Sequence, residues 1–276
     1  IFDPDVLLRS FSQLGLVEED YQQWQSMIKR AHGIVLVTGP TGSGKTTTLY
    51  STLKQLATDS VNVSTIEDPI EMVVDAFNQS QIQQAIEFDF AAGIRTLMRQ
   101  DPDIIMVGEI RDRATAEMAV QAALTGHLVL STLHTNDAPT AISRLLDLAM
   151  PAHLIKATLN GVMAQRLVRT LCPECRREVQ CDPEAWHELG GGSKLPLPAT
   201  VFQPVGCLEC RNTGYLGREG IYEIMPISYD LLSYISAESD IQQIRDAAIA
   251  QGMKTLRMAG AEKIAAGVTS IEEVLR

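Results

Sequence analysis

No stretch of this sequence approaches the ~18–20 consecutive apolar residues that a membrane-crossing helix requires, so nothing in it reads as a span. Nor does it open as a secretory leader does: residue 1 is isoleucine, and no charged, apolar and small-residue series follows. Positive charge is scarce as well. Twenty-three Lys and Arg stand against 34 Asp and Glu, a formal charge of −11. A broad nucleic-acid-binding face needs clustered Lys and Arg, so this balance argues against one while leaving room for a local basic patch. No internal repeat is present. What remains is an ordinary globular balance, 45% hydrophobic and 21% charged over 276 residues. It excludes a disordered or fibrous chain and allows one large or two small domains. The start at Ile1 reads as part of a longer cytosolic protein.

The first thirty residues read as helical: Leu7, Leu8, Phe11, Leu14 and Leu16 are spaced for one buried face, and Tyr21, Trp24 and Ile28 for a second short helix. Short β-branched runs follow at Ile34 to Val37, Val61 to Ile66, Ile104 to Val107 and Leu128 to Leu130. Helical patterns lie among them, through about Leu56, from Phe90 to Met98 and from Thr115 to Leu124. Asp137 caps a further helix to about Leu148, with Pro139 in its first turn. Strands alternating with helices imply an α/β fold, a mostly parallel sheet covered on both faces. From about Leu171 cysteines, prolines and Gly190-Gly191-Gly192 replace periodic spacing, which marks an irregular subdomain. After Tyr222 the chain reads as helical to the end. Gly267 stops one helix, and Thr269 with Glu272 makes a capping box for the last. The resulting division is 1–30, a helical segment; 31–170, the α/β core; 171–220, the cysteine subdomain; and 221–276, a helical region.

The strongest motif is Gly39-Pro40-Thr41-Gly42-Ser43-Gly44-Lys45-Thr46, set between a strand and a helix. That context identifies a phosphate-binding loop. Glycines let successive amides turn inward around a phosphate, and the helix that follows aims its positive dipole end at the same anion. Lys45 supplies charge for the β- and γ-phosphates, the Thr46 hydroxyl is placed for Mg²⁺, and Thr47 follows in the same nucleotide-binding set. The implied ligand is a nucleoside triphosphate such as ATP.

Candidate catalytic groups sit at the ends of the next strands. Glu67, in Glu67-Asp68-Pro69-Ile70-Glu71, leaves one strand where it can orient an attacking water, or it is an ordinary loop acid. Glu109 ends the strand begun at Asp101-Pro102-Asp103, in the place of the Mg²⁺-linked acid of such enzymes, where it handles the metal's water or the nucleophilic water, or it is an unexceptional strand-end acid. His134 follows the third strand and can sense the γ-phosphate; His127, at the other end, is more readily structural. Arg95, Arg99 and Arg111 are candidates for neutralising developing charge, or plain surface ion-pair partners.

Cys172-Pro173-Glu174-Cys175 and Cys207-Leu208-Glu209-Cys210 present four thiolates on two tight turns. In a cytosolic protein this reads as a closed, structural Zn²⁺ site, worth on the order of 10 kcal/mol of local folding energy, ahead of four buried free thiols or a redox pair. Cys181 is left as an ordinary thiol.

Taken together, the phosphate loop, Thr65 to Glu71, Asp101 to Asp112, Thr125 to Thr135, both cysteine pairs and Gly217 to Ile224 resemble the ATPases of type II secretion and type IV pilus assembly. The resemblance covers nearly the whole chain. It implies a RecA-like P-loop NTPase core in a cytoplasmic homo-hexamer peripheral to the inner membrane, with ATP between domains and subunits. It puts Glu67 in an acidic box that handles the nucleophilic water, Glu109 in the Walker B strand, and His127 and His134 in a histidine box. The cysteine pairs favour the secretion and assembly branches over retraction ATPases. The family's additional amino-terminal domains are not in this chain. Implied partners are an inner-membrane platform protein and membrane-anchored secretion or pilus components, with no nucleic acid; net acidity suits basic cytoplasmic loops. The alternatives are a DNA-directed RecA-like translocase or DNA-uptake ATPase, and a nucleotide-gated scaffold that scarcely hydrolyses ATP.

Overall fold

The computed structural model describes residues 9–190 and 195–276. Leu7 and Leu8 of the first stripe, and Gly191 and Gly192 of the glycine run, lie outside them.

Among the described residues seven strands form one sheet: β1 (Gly33–Thr38), β2 (Val63–Glu67), β3 (Asn78–Gln81), β4 (Ile104–Val107), β5 (Leu128–Leu133), β6 (Leu159–Leu171) and β9 (Tyr215–Pro226), in the order β3-β2-β4-β5-β1-β6-β9. The first six run parallel and β9 antiparallel to β6. Every residue of β1, β2, β4 and β5 is buried, as expected of strands covered on both faces. Alternation along each strand divides the core in two. Ile34 and Leu36, with Ile66, Ile105 and Val129, face α3 (Phe90–Leu97), α4 (Arg113–Leu124) and α5 (Ala138–Asp147). Val35 and Val37, with Ile104, Met106 and Leu130, face α1 (Glu18–Ile28) and α2 (Lys45–Leu56).

Parallel pairing sends the carboxyl ends of β1, β2, β4 and β5 to one edge, where ligands of open α/β sheets bind. Asp112 and Asp137 cap α4 and α5 by accepting the amides of Thr115 and Thr140. A short helix, α6 (Ala152–Thr158), then leads into β6.

The structure corrects the sequence reading in three places. Residues 11–15 form a turn rather than a helix, although Phe11, Leu14 and Leu16 are buried as the stripe requires. Ser10 and Gln13 exchange side-chain to backbone hydrogen bonds that compete with helical ones, and Gly15 takes φ +93°. The chain after Tyr222 remains extended to Pro226 in β9, so a boundary at 220 falls inside one strand. That strand is held by its antiparallel pairing to the long β6, a partner outside any local sequence window. At the last helix, α11 (Ile271–Leu275), the cap is Ser270, which accepts the Glu273 amide. Thr269 instead donates to the Arg169 carbonyl.

Between β6 and β9 lie a two-stranded antiparallel sheet, β7 (Arg177–Gln180) with β8 (Thr200–Gln203), and a short helix α7 (Pro183–Glu188). Trp186, Leu189 and Val201 from this region pack on Ala261 and Ile264 of α10 (Leu256–Ala265), so the irregular segment shares a core with the carboxy-terminal helices. Two more helices, α8 (Tyr229–Leu232) and α9 (Ile241–Ala250), precede α10. Among the described residues no helix is long and apolar enough to cross a membrane.

Candidate functional site

The loop Gly39 to Thr46 joins β1 to α2 at the carboxyl edge of the sheet. Gly39, Gly42 and Gly44 hold φ of +150°, +78° and +88°. A Cβ on Gly39 would stand 2.4 Å from the Gln165 carbonyl oxygen, and one on Gly44 would stand 2.8 Å from Gln165 Nε2. Backbone conformation therefore favours glycine at all three positions, and at Gly39 the Gln165 carbonyl leaves no room for a side chain as well. Gln165, on β6, also accepts from Thr48 Oγ1 at 2.7 Å and so props the loop from beneath.

Three observations fit this loop to a phosphate. Gly44 begins α2 in the left-handed conformation and no side chain caps its first turn. Ser43 Oγ is buried with no hydrogen-bond partner among the described residues. Lys45 Nζ donates to the carbonyls of Gly39 at 2.9 Å and Pro40 at 3.1 Å, inside the curve of the loop. Burial pushes the Lys45 ammonium below its usual range, against the pull of the Glu109 carboxylate. Thr47 is half-buried in the first turn of α2.

Glu109 and His134 are brought together as the strand order demands. His134 Nε2 lies 3.4 Å from Glu109 Oε2, Arg111 pairs with Glu109 Oε1, and Arg111 reaches Asp68 at 3.9 Å. The hydrogen bond from Arg111, against some desolvation, holds the Glu109 carboxyl below the ordinary carboxylate range. A fixed anion at the end of β4 is thus flanked by a cation and an imidazole.

Glu67 is placed differently. It is buried, and its oxygens accept from Tyr50 OH at 2.5 Å, Thr65 Oγ1 at 2.6 Å and Gln79 Nε2 at 3.2 Å. The acid that reaches the phosphate loop is Glu71, whose Oε1 accepts from Thr46 Oγ1 at 3.2 Å. Sequence reasoning quoted Glu71 but assigned it nothing, because spacing alone does not say which acid of the stretch turns inward. Gln165 gave no local signal, since its partner Thr48 lies 117 positions away.

His127 sits at the opposite end of β5, where Nδ1 is within hydrogen-bond distance of the Ala122 carbonyl and Thr125 Oγ1, closing the end of α4. Arg95 and Arg99 are exposed and make no ion pair among the described residues.

The four cysteines converge although their pairs are 35 positions apart. Their Sγ atoms all lie within 4.8 Å of one another, with separations of 3.9 Å for Cys172–Cys207, 3.7 Å for Cys175–Cys210 and 3.8 Å for Cys207–Cys210. A tetrahedron of thiolates at ~2.3 Å from a central ion has edges of ~3.8 Å, so the cluster fits a tetrahedral metal. The amides of Cys207 and Gly214 approach Cys210 Sγ at 3.2 Å each, and that of Gly206 approaches Cys175 Sγ at 3.3 Å. Burial raises the Cys172 thiol to about 11. At Cys210 burial acts the same way, but the two amides outweigh it and bring the thiol to about 6. Cys181 stands outside the cluster.

The chain matches the family of type II/IV secretion system proteins along its whole length, residues 1–276. It belongs to that family. It is 60% identical over 276 residues to the type IV pilus assembly ATPase TfpB of Acinetobacter baylyi, covering all of this chain and 47% of the relative. It is 44% identical over 276 residues to the type II secretion system ATPase E of Vibrio cholerae, covering all of this chain and 54% of the relative. The chain therefore spans about half the length of the curated relatives it matches. Among solved structures, the pilus retraction motor PilT with bound ADP superposes with a TM-score of 0.69 at 27% identity, over 97% of this chain and 64% of PilT. The P-loop ATPase fold expected from the sequence is the fold of the family.

Proposed function

We propose that this secretion-family chain is the ATP-hydrolysing part of a motor that drives type II protein secretion or type IV pilus assembly. The observation that carries the reading is the phosphate loop: left-handed glycines, an uncapped helix start, the buried unpartnered Ser43 hydroxyl and Lys45 inside the curve all suit a bound polyphosphate. Gly39 to Thr47 would hold the ATP phosphates, and Thr46 with Glu71 would hold Mg²⁺, which when bound neutralises charge on the phosphates. Glu109 keeps its negative charge beside Arg111 and presents it toward His134 and the lysine. Glu71 accepts from Thr46 Oγ1 while Glu67 is turned into the core, so Glu71 is the acid of this stretch placed to act on the metal and its bound water. Glu67 instead fastens α2, through Tyr50, to β2.

The four cysteines would hold Zn²⁺ as a structural ion, locking the loop after β6 to the loop before β9. Assembly as a hexamer against a platform protein at the cytoplasmic face of the inner membrane completes the reading. The test is ATP turnover by the intact protein with and without Lys45→Ala. The variant should lose at least ~10²-fold in kcat, in line with removal of a main electrostatic group. Turnover close to that of the parent would overturn the assignment, and turnover dependent on added DNA would replace it with a translocase.

A further inference from the structure

One buried carboxylate sits where three elements meet. Glu223 on β9 is 2% exposed. It accepts the amide of Ala138, the first residue of α5, at 2.8 Å, and the amide of Leu256, the first of α10, at 3.1 Å. Amides in the first turn of a helix lack intrahelical partners, and a carboxylate there is favoured by hydrogen bonding and by the helix dipole. Each helix already has its own cap, Asp137 and Thr255, so Glu223 is an acceptor shared between them. Burial raises its carboxyl above the usual range, against the pull of both amides.

The α5 end leads directly to the nucleotide edge. Asp137 pairs with Arg245 of α9 at 2.9 Å. Thr135 donates to the Asp137 carbonyl at 2.9 Å and shares a 2.7 Å hydroxyl bond with Thr38, the residue before Gly39. Thr135 is also the neighbour of His134. Hydrogen bonds and adjacent residues thus connect the phosphate loop to α9 and α10 without a gap.

We propose that Glu223 is a positioning residue, holding the His134–Asp137 turn against β1 and fixing the carboxy-terminal helices to that turn, so that movement at the nucleotide edge is shared with α9 and α10. The inference rests on the ATP-hydrolysis reading. Glu223 touches none of the candidate catalytic groups and acts only through placement. Glu223→Gln preserves volume and one acceptor but turns a donor toward the other amide, releasing one helix without opening a cavity.

In the intact protein Glu223→Gln should lower kcat about 10-fold, with KM for ATP changed less than about 2-fold, the pattern of misplaced rather than missing groups. Amide hydrogen exchange gives a second readout. A non-hydrolysable ATP analogue with Mg²⁺ should slow exchange at both the phosphate loop and Leu256 in the parent, but at the loop alone in the variant. Parent-like kcat, or a Leu256 amide that still responds to the analogue in the variant, would overturn the inference while leaving ATP hydrolysis intact. A parent protein without ATP turnover would sink both. Should Glu223→Gln fail to fold, Arg245→Ala on α9 decides, with an expected fall in kcat of about 3-fold at unchanged KM; no fall would count against the proposal.

Discussion

The phenol of Tyr50 donates to Glu67 Oε2 at 2.5 Å, so the acid that ends β2 faces the P-loop helix from within the core. Burial and the Glu67 carboxylate together raise the Tyr50 phenol far above its ordinary range, so the phenol keeps its proton and acts as the donor. This one contact separates two acids that the sequence lists four residues apart.

Conservative substitution of each acid distinguishes their roles. Glu67→Gln should destabilise the fold by about 1–3 kcal/mol, because a buried amide donor then meets the donors Tyr50, Thr65 and Gln79. Glu71→Gln should leave stability unchanged and reduce ATP turnover by about 10²-fold or more. Urea unfolding and initial rates measure the two effects. The reverse assignment, with Glu67→Gln silent in stability and dead in turnover, would restore Glu67 to the water.

Gly39→Ala tests the shape of the loop. The added methyl meets the Gln165 carbonyl oxygen at 2.4 Å in a backbone conformation that L residues rarely adopt. ATP affinity, read by titration calorimetry, should fall at least about 10-fold, and the thermal midpoint should drop. An alanine variant that binds ATP as tightly as the parent would mean that the loop is not the nucleotide cradle.

The cysteine cluster makes a stoichiometric claim. Freshly purified protein should carry about one zinc per chain, as a closed four-thiolate site does. Cys172→Ser should lose most of it and expose the 172–214 region to proteolysis before the P-loop core. Parent protein free of metal, or a serine variant that retains a full complement, would contradict the structural ion.

Glu273 gives a pH signature. Burial raises its carboxyl, but the guanidinium and amide of Arg169 outweigh burial and hold it below the usual glutamate range. Its folded pKa is thus lower than the value of about 4.3 in an unfolded chain. The stability it contributes is present in full above that value and is lost as pH falls through the folded pKa. The gap in thermal midpoint between parent and Glu273→Gln should therefore be widest near neutrality and close on acidification. A gap that stays constant between about pH 7 and pH 3 would remove the Arg169 pair from the ledger.

Much of the site is legible in the amino-acid sequence. Gly39 to Thr46 and the two cysteine pairs act over a few residues, so their spacing carries their geometry. Glu109 and His134 follow the ends of β4 and β5, and a parallel sheet delivers such ends to one edge, which is why the two meet. What was not legible was direction. Glu67 and Glu71 belong to one short stretch, and only Tyr50 and Gln79 on one side and Thr46 on the other show which acid faces inward.

From the residues alone came the glycine-rich loop, the two cysteine pairs and the alternation of strand and helix, because each is set by backbone conformations and side chains within a few positions. Tertiary structure decided that β9 pairs with β6, that Gln165 supports the loop, and that Glu223 ties α5 to α10 across 85 and 33 positions. Those contacts depend on which surfaces become buried together. Local periodicity marks a residue as ready for burial but does not name its distant partner.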